Sequence, residues 1–184
     1  MNYSRKWLVA AAVVIGLAGS NAWAASFQDL VISVTPVPNV TLTLTGNTAW
    51  AIGNLDVGTS TVSYSAAHLT NTGNVDVSAT SQITGNTGNW MASLSSGTVD
   101  NYTLYVATSA TTPNPNGSEF NPGTAVTAPA TPVALKGLSG STAPNMAATT
   151  GVLDLWFRLD MPRQVSTTAA RSMTVRFTAT AVSL

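Results

Sequence analysis

Apolar and polar residues alternate along most of this chain with a period of two. Residues 40–45 read VTLTLT, 75–79 read VDVSA and 102–106 read YTLYV. The longest such runs are 153–159, LDLWFRL, and 173–181, MTVRFTATA. A side chain every second residue on one face is the pattern of a half-buried strand. Shorter strands are expected at 27–35, 48–52, 60–65, 90–94 and 133–135. Gly and Asn cluster between the runs, at 45–47, 53–54, 71–74 and 85–89, where turns need them. The one helix-like stretch, 66–70, is too short to count as an element. Nine or ten short strands at ~10-residue spacing predict an all-β fold, a single Ig-like or jelly-roll antiparallel β-sandwich. Leu153, Leu155, Phe157, Val175 and Phe177 are expected to share its core. Residues 111–132 hold five of the nine prolines and read as a long loop.

The first 24 residues do not fit this pattern. Arg5 and Lys6 precede an apolar run from Leu8 to Ala18, and Ala22-Trp23-Ala24 follows as an A-x-A cleavage signal. The run is about half the ~20 residues a membrane helix requires. The expected organisation is a cleaved signal peptide at 1–24, an N-terminal strand with a proline hinge at 25–38, and the sandwich at 39–184. No membrane span is expected after cleavage, which makes the protein secreted, extracellular or bound at the cell surface.

Composition narrows the function by exclusion. Charged residues make up 8% of the chain, against roughly 25% in ordinary domains. Without its leader the chain carries five basic and seven acidic residues. No run of phosphates could be neutralised by so few cations, so nucleic acid is excluded as a partner. There is no cysteine and one histidine, which removes disulfides, thiolate metal sites and multi-histidine centres. Residues 25–184 contain 28 Thr, 17 Ser and 12 Asn. Hydroxyls and amides wet this surface, and low net charge lowers the barrier to self-association.

Catalytic constellations are lacking in the sequence. His68 has no acidic sequence neighbour and reads as structural. Glu119 is the one glutamate, and Asp154 and Asp160 fall on the outer register of their strand as surface charge. Asn114, Asn116, Ser118, Glu119 and Asn121 could offer oxygens to calcium, but with a single carboxylate. The expectation is a protein that is not an enzyme, with no catalytic, cofactor or metal residues.

Two features stand apart. Tyr105 and Trp156 lie on the register opposite their apolar neighbours, and so form a candidate exposed aromatic interface for a subunit or a sugar. The second is the segment with Phe27, Leu30, Ile32 and Val34, which ends at Pro36-Val37-Pro38. Prolines cannot join a ladder, so this strand-like piece is separable from the strand at Val40. It is a candidate donor strand for the open sheet edge of a neighbouring copy. The mature chain has one lysine, Lys136, so few edges carry the usual charged protection.

The leader, the Leu55-Asp-Val57-Gly58-Thr59 stretch, the Leu69-Thr-Asn71-Thr-Gly73-Asn74-Val75 stretch and the closing Leu155-Trp-Phe-Arg-Leu159 and 174–180 strands resemble the TasA/camelysin class of secreted fibre proteins. The chain departs from that class in lacking Lys- and Asp-rich character. The chaperone–usher pilins are similar in size, but the cysteine pair and the penultimate aromatic are missing here. What the TasA/camelysin resemblance implies is a filament built by N-terminal strand exchange, with copies of the same chain as partners. The competing expectation is a secreted β-sandwich module that binds carbohydrate or a cell surface, with a surface polysaccharide as partner. Intact-mass measurement of the native protein should show loss of residues 1–24; a full-length chain in the cytosol would refute export.

Overall fold

A computed structural model describes residues 33–126 and 131–182. Phe27, Leu30 and Ile32 lie outside the described residues. The chain divides into two compact units, Met1–Pro36 and Val37–Leu184, and the fold is that of the second. Among the described residues ten strands make it up: β1 Leu42–Gly46, β2 Ser60–Val62, β3 Ala67–Asn71, β4 Val77–Asn86, β5 Met91–Ala92, β6 Asn101–Thr108, β7 Ala125–Val126, β8 Val133–Ala134, β9 Val152–Asp160 and β10 Met173–Ala181. One sheet runs β1-β3-β9-β6-β5, with β2 also pairing β9 and β7 also pairing β6. The other runs β10-β4-β8. All pairings are antiparallel except β5 with β6. The protein is an all-β sandwich.

The core forms where the alternation predicts it. Leu153, Leu155 and Leu159 of β9 meet Leu69 of β3, Tyr102, Leu104 and Val106 of β6, and Val77, Ala79 and Ile83 of β4. Burial pushes the Tyr102 phenol up to about 12, because ionisation would strand a charge among apolar neighbours. Asn71 is a buried polar exception whose side chain works as a brace. Its amide donates to the carbonyls of Val75, Met146 and Ala147, and its oxygen accepts from the Gly73 amide. With all these bonds made, burial of the amide is tolerated.

Several expectations change in detail. The stretch 66–70 is no helix but most of β3, whose Ala67, Leu69 and Asn71 point inward in strand alternation. Residues 48–52 do not form a strand, and Ser33, Val34 and Thr35 lie outside strands, with Val34 78% exposed. β4 continues through the expected turn at 85–86 because β10 pairs along it to Asn86. Of the long loop expected at 111–132, residues 111–126 are pinned down by a 3-10 turn at Pro122–Thr124, by β7 and by the buried Phe120.

Asp154 and Asp160 are not free surface charges. Asp154 Oδ1 lies 2.7 Å from His68 Nδ1, within hydrogen-bond distance, and Asp160 holds the Arg158 guanidinium at 2.7 Å with both side chains largely covered. Phe157, Val175 and Phe177 are half-buried rather than in the closed core. Replacing fully buried Leu155 by Ala should therefore cost about 2–5 kcal/mol in urea unfolding. Phe157→Ala should fall below the ~3–5 kcal/mol typical of a buried Phe, which reverses the order that ring size alone would give.

Candidate functional site

The aromatic interface expected from register is not one. Trp156 is 6% exposed and Tyr105 is half-buried. The cause is that residues beyond β6 fold back over the outer face of the larger sheet. Phe120 from this loop joins Val62, Ala107 and Trp156 in a second apolar cluster, with Tyr105 and Leu138 packed against it. Trp156 Nε1 donates to the Ser109 carbonyl at 2.9 Å, and Arg158 donates to the Gly117 carbonyl at 2.7 Å while its guanidinium lies 5.2 Å from the Tyr105 ring centroid. Desolvation, with Asp160 nearby, raises the Tyr105 phenol above its usual range. Both faces of β6 and β9 are therefore covered around Tyr105 and Trp156.

The candidate calcium oxygens are engaged with donors. Glu119 accepts from the Asn114 backbone and side-chain amides at 3.0 and 2.8 Å, and Asn116 accepts from the Ser118 amide. Among the described residues no group of three or more His, Asp or Glu side chains could hold a metal. No helix among them is long and apolar enough to cross a membrane.

What the fold leaves open is one seam of the sandwich. β1 is the outer strand of the larger sheet and β10 the outer strand of the smaller. The opposite outer strands, β5 and β8, are two residues long each. Short edges template little pairing, whereas β10 presents nine residues. Among the described residues β10 pairs with β4 alone, so its outer row of N–H and C=O groups is open. Arg176 is the one charge along it.

Between the two edges lies a hollow of about 510 Å³. Met173, Val175 and Phe177 of β10 form one wall, and Leu44, Trp50 and Phe157 stand across from them. Trp50 and Phe157 rings are 6.3 Å apart. The half-burial of Phe157, Val175 and Phe177 now has its reason: they line an apolar trough beside a strand that, among the described residues, is paired on one side alone. Sequence alternation marks these residues as inward-facing, but inward-facing residues at a closed and at an open seam look alike. A protein-family comparison and a search among characterised proteins find no match to this chain.

Of the candidate donor residues, Val34 is exposed and free of strand pairing, and the other three lie outside the described residues. Residues 25–184 hold three tryptophans, of which Trp90 and Trp156 are buried and Trp50 is half-buried at the trough. Acrylamide should thus quench one accessible tryptophan population, and Trp50→Phe should remove it. Unchanged quenching in that variant would show that the trough is not open to solvent.

Proposed function

We propose that this protein is an exported structural subunit of an extracellular filament or surface layer, assembled by β-strand donation between copies. The observation that carries this reading is the apolar trough beside the long unpaired edge of β10. An edge of that kind attracts an added strand, because each new residue pair satisfies backbone groups already ordered in the acceptor. The donor is the segment with Leu30, Ile32 and Val34, separated from the sandwich by Pro36 and Pro38. Burying those three side chains contributes on the order of 1.5–3 kcal/mol each before ordering costs. The exposed Val34 and the absence of strand structure at Ser33 and Thr35 fit a piece that pairs elsewhere. Export through a cleaved leader brings such a chain to the place where polymer would be built.

The alternative, a carbohydrate- or surface-binding module, depended on Tyr105 and Trp156. With both covered, the more polar hollow, of about 480 Å³, is lined by Ser109, Ser141, Thr142 and Asp154 among others. Its lining includes no aromatic ring, so sugar stacking lacks its usual platform.

Electron microscopy of the purified mature protein should show filaments. Deleting residues 25–35 should abolish them, and Ile32→Asp should reduce them nearly as far, because an unpaired carboxylate in an apolar trough is costly. Filaments that form normally without residues 25–35 would overturn strand donation.

A further inference from the structure

We infer that the donated segment, residues 27–35 of a second copy, adds to β10 rather than to β1, and runs antiparallel to it, so that assembly is an open head-to-tail rod. This rests on the strand-donation reading above. The choice of edge follows from length and from side chains. The segment and β10 both have nine residues, whereas β1 has five. β10 also carries the alternating half-exposed row of Met173, Val175 and Phe177, matching the spacing of Leu30, Ile32 and Val34.

The direction follows from the two ends of the trough. At one end the sandwich's own chain comes in. Asn74 donates from Nδ2 to the Val37 carbonyl at 3.1 Å, and the Asn39 and Asn74 backbones are joined at 3.0 Å. Gly73 permits this approach, since a Cβ there would collide with the Asn39 carbonyl oxygen. The C-terminus of β10 lies at the same end, with Ala181 opposite Val77 and the Val182 amide on the Asp76 carbonyl at 2.9 Å. At the other end Met173 faces Asn86, and residues 47–51 flank the trough. The trough is lined from Met173 to Phe177 and by none of the residues at the Asn74 end.

A parallel donor would bring its own domain to the Asn74 end, against the acceptor's Val37, Asn39 and Thr41. Two copies meeting by those ends could exchange segments reciprocally and close as a two-fold pair. An antiparallel donor enters at the Met173 end, with Thr35 nearest that opening. Each copy then receives at one end and donates from the other, a heterologous contact that does not close on itself. Antiparallel pairing is also the slightly more stable ladder per residue.

The chain has no cysteine, so single cysteines can report neighbours without background. Full-length mature Ser33→Cys would be mixed under assembling conditions with Thr174→Cys, Arg176→Cys, Thr180→Cys or Thr45→Cys, and oxidised mildly. Disulfides need Cα atoms within about 7 Å. Crosslinked dimer should form at least ten-fold more with Thr174→Cys or Arg176→Cys than with the other two. A preference for Thr180→Cys would overturn the antiparallel direction, and a preference for Thr45→Cys would overturn the choice of β10. Filaments with no crosslink at any of these positions would overturn the inference while leaving strand donation standing. Absence of any assembly in the unsubstituted protein would bring down both.

Discussion

The structure turns on an imbalance at one seam. A β-sandwich is stable when every apolar face is covered and every ladder either ends early or is paired. Here the seam between β1 and β10 satisfies neither condition. Every second residue of β10 offers its N–H and C=O on the edge away from β4, and the apolar side chains of Met173, Val175 and Phe177 face the trough. The rest of the domain is built to hold that seam in place. β4 pairs β10 along its whole length, and a register shift between Thr174 and Val175 bends the pairing near the trough. The fully satisfied Asn71 fixes the opposite end, where loops 71–77 and 146–151 meet the incoming chain.

The outer face of the larger sheet is covered around Trp156, and the contrast sharpens the meaning of the open seam. The outer face of the larger sheet could have been left to solvent, as antiparallel sheets often are. Instead Phe120 and Leu138 cover Trp156 and Tyr105, and Arg158 ties the covering loop through the Gly117 carbonyl while neutralised by Asp160. Asp100 does similar work at the far edge. It takes two hydrogen bonds from Ser166, and chiefly the Ser166 hydroxyl holds its carboxyl below the usual carboxylate range. With so few charges, the chain places most of them in specific contacts.

Legibility in the sequence followed the physics of each element. β6, β9 and β10 were readable because half-buried strands show period two, and β9's Leu153, Leu155 and Leu159 keep it. β3 escapes the pattern because His68 and Thr70 interrupt a short apolar run, and five residues cannot separate period two from 3.6. The cover over Trp156 is not legible because alternation tells which face a residue takes, not whether a distant loop covers that face. The trough was invisible for a related reason. Phe157, Val175 and Phe177 carry the same pattern whether or not a strand closes over them, and closure depends on which strands end at the edge. Pro36 and Pro38 were legible as a break in strand pattern, and the structure describes Ser33–Thr35 just before them outside any strand.

The scarcity of charge acquires a structural reason when set against the seam. A soluble monomer with an exposed apolar trough and a long free edge normally defends them with lysine or inward charge, because the same features template unwanted pairing. In this chain Lys136 lies away from β1 and β10, and Arg176 stands alone on the outer edge. Threonines occupy the exposed positions of β10 and β1 instead: Thr174, Thr178 and Thr180 on one, Thr43 and Thr45 on the other. Threonine is hydrated when the strand is free and favours extended backbone when it is paired. It neither repels an incoming strand by charge nor costs much to cover. An edge built this way stays wettable before pairing and compatible with it afterwards. Lysines at those positions would solve the first problem while obstructing the second.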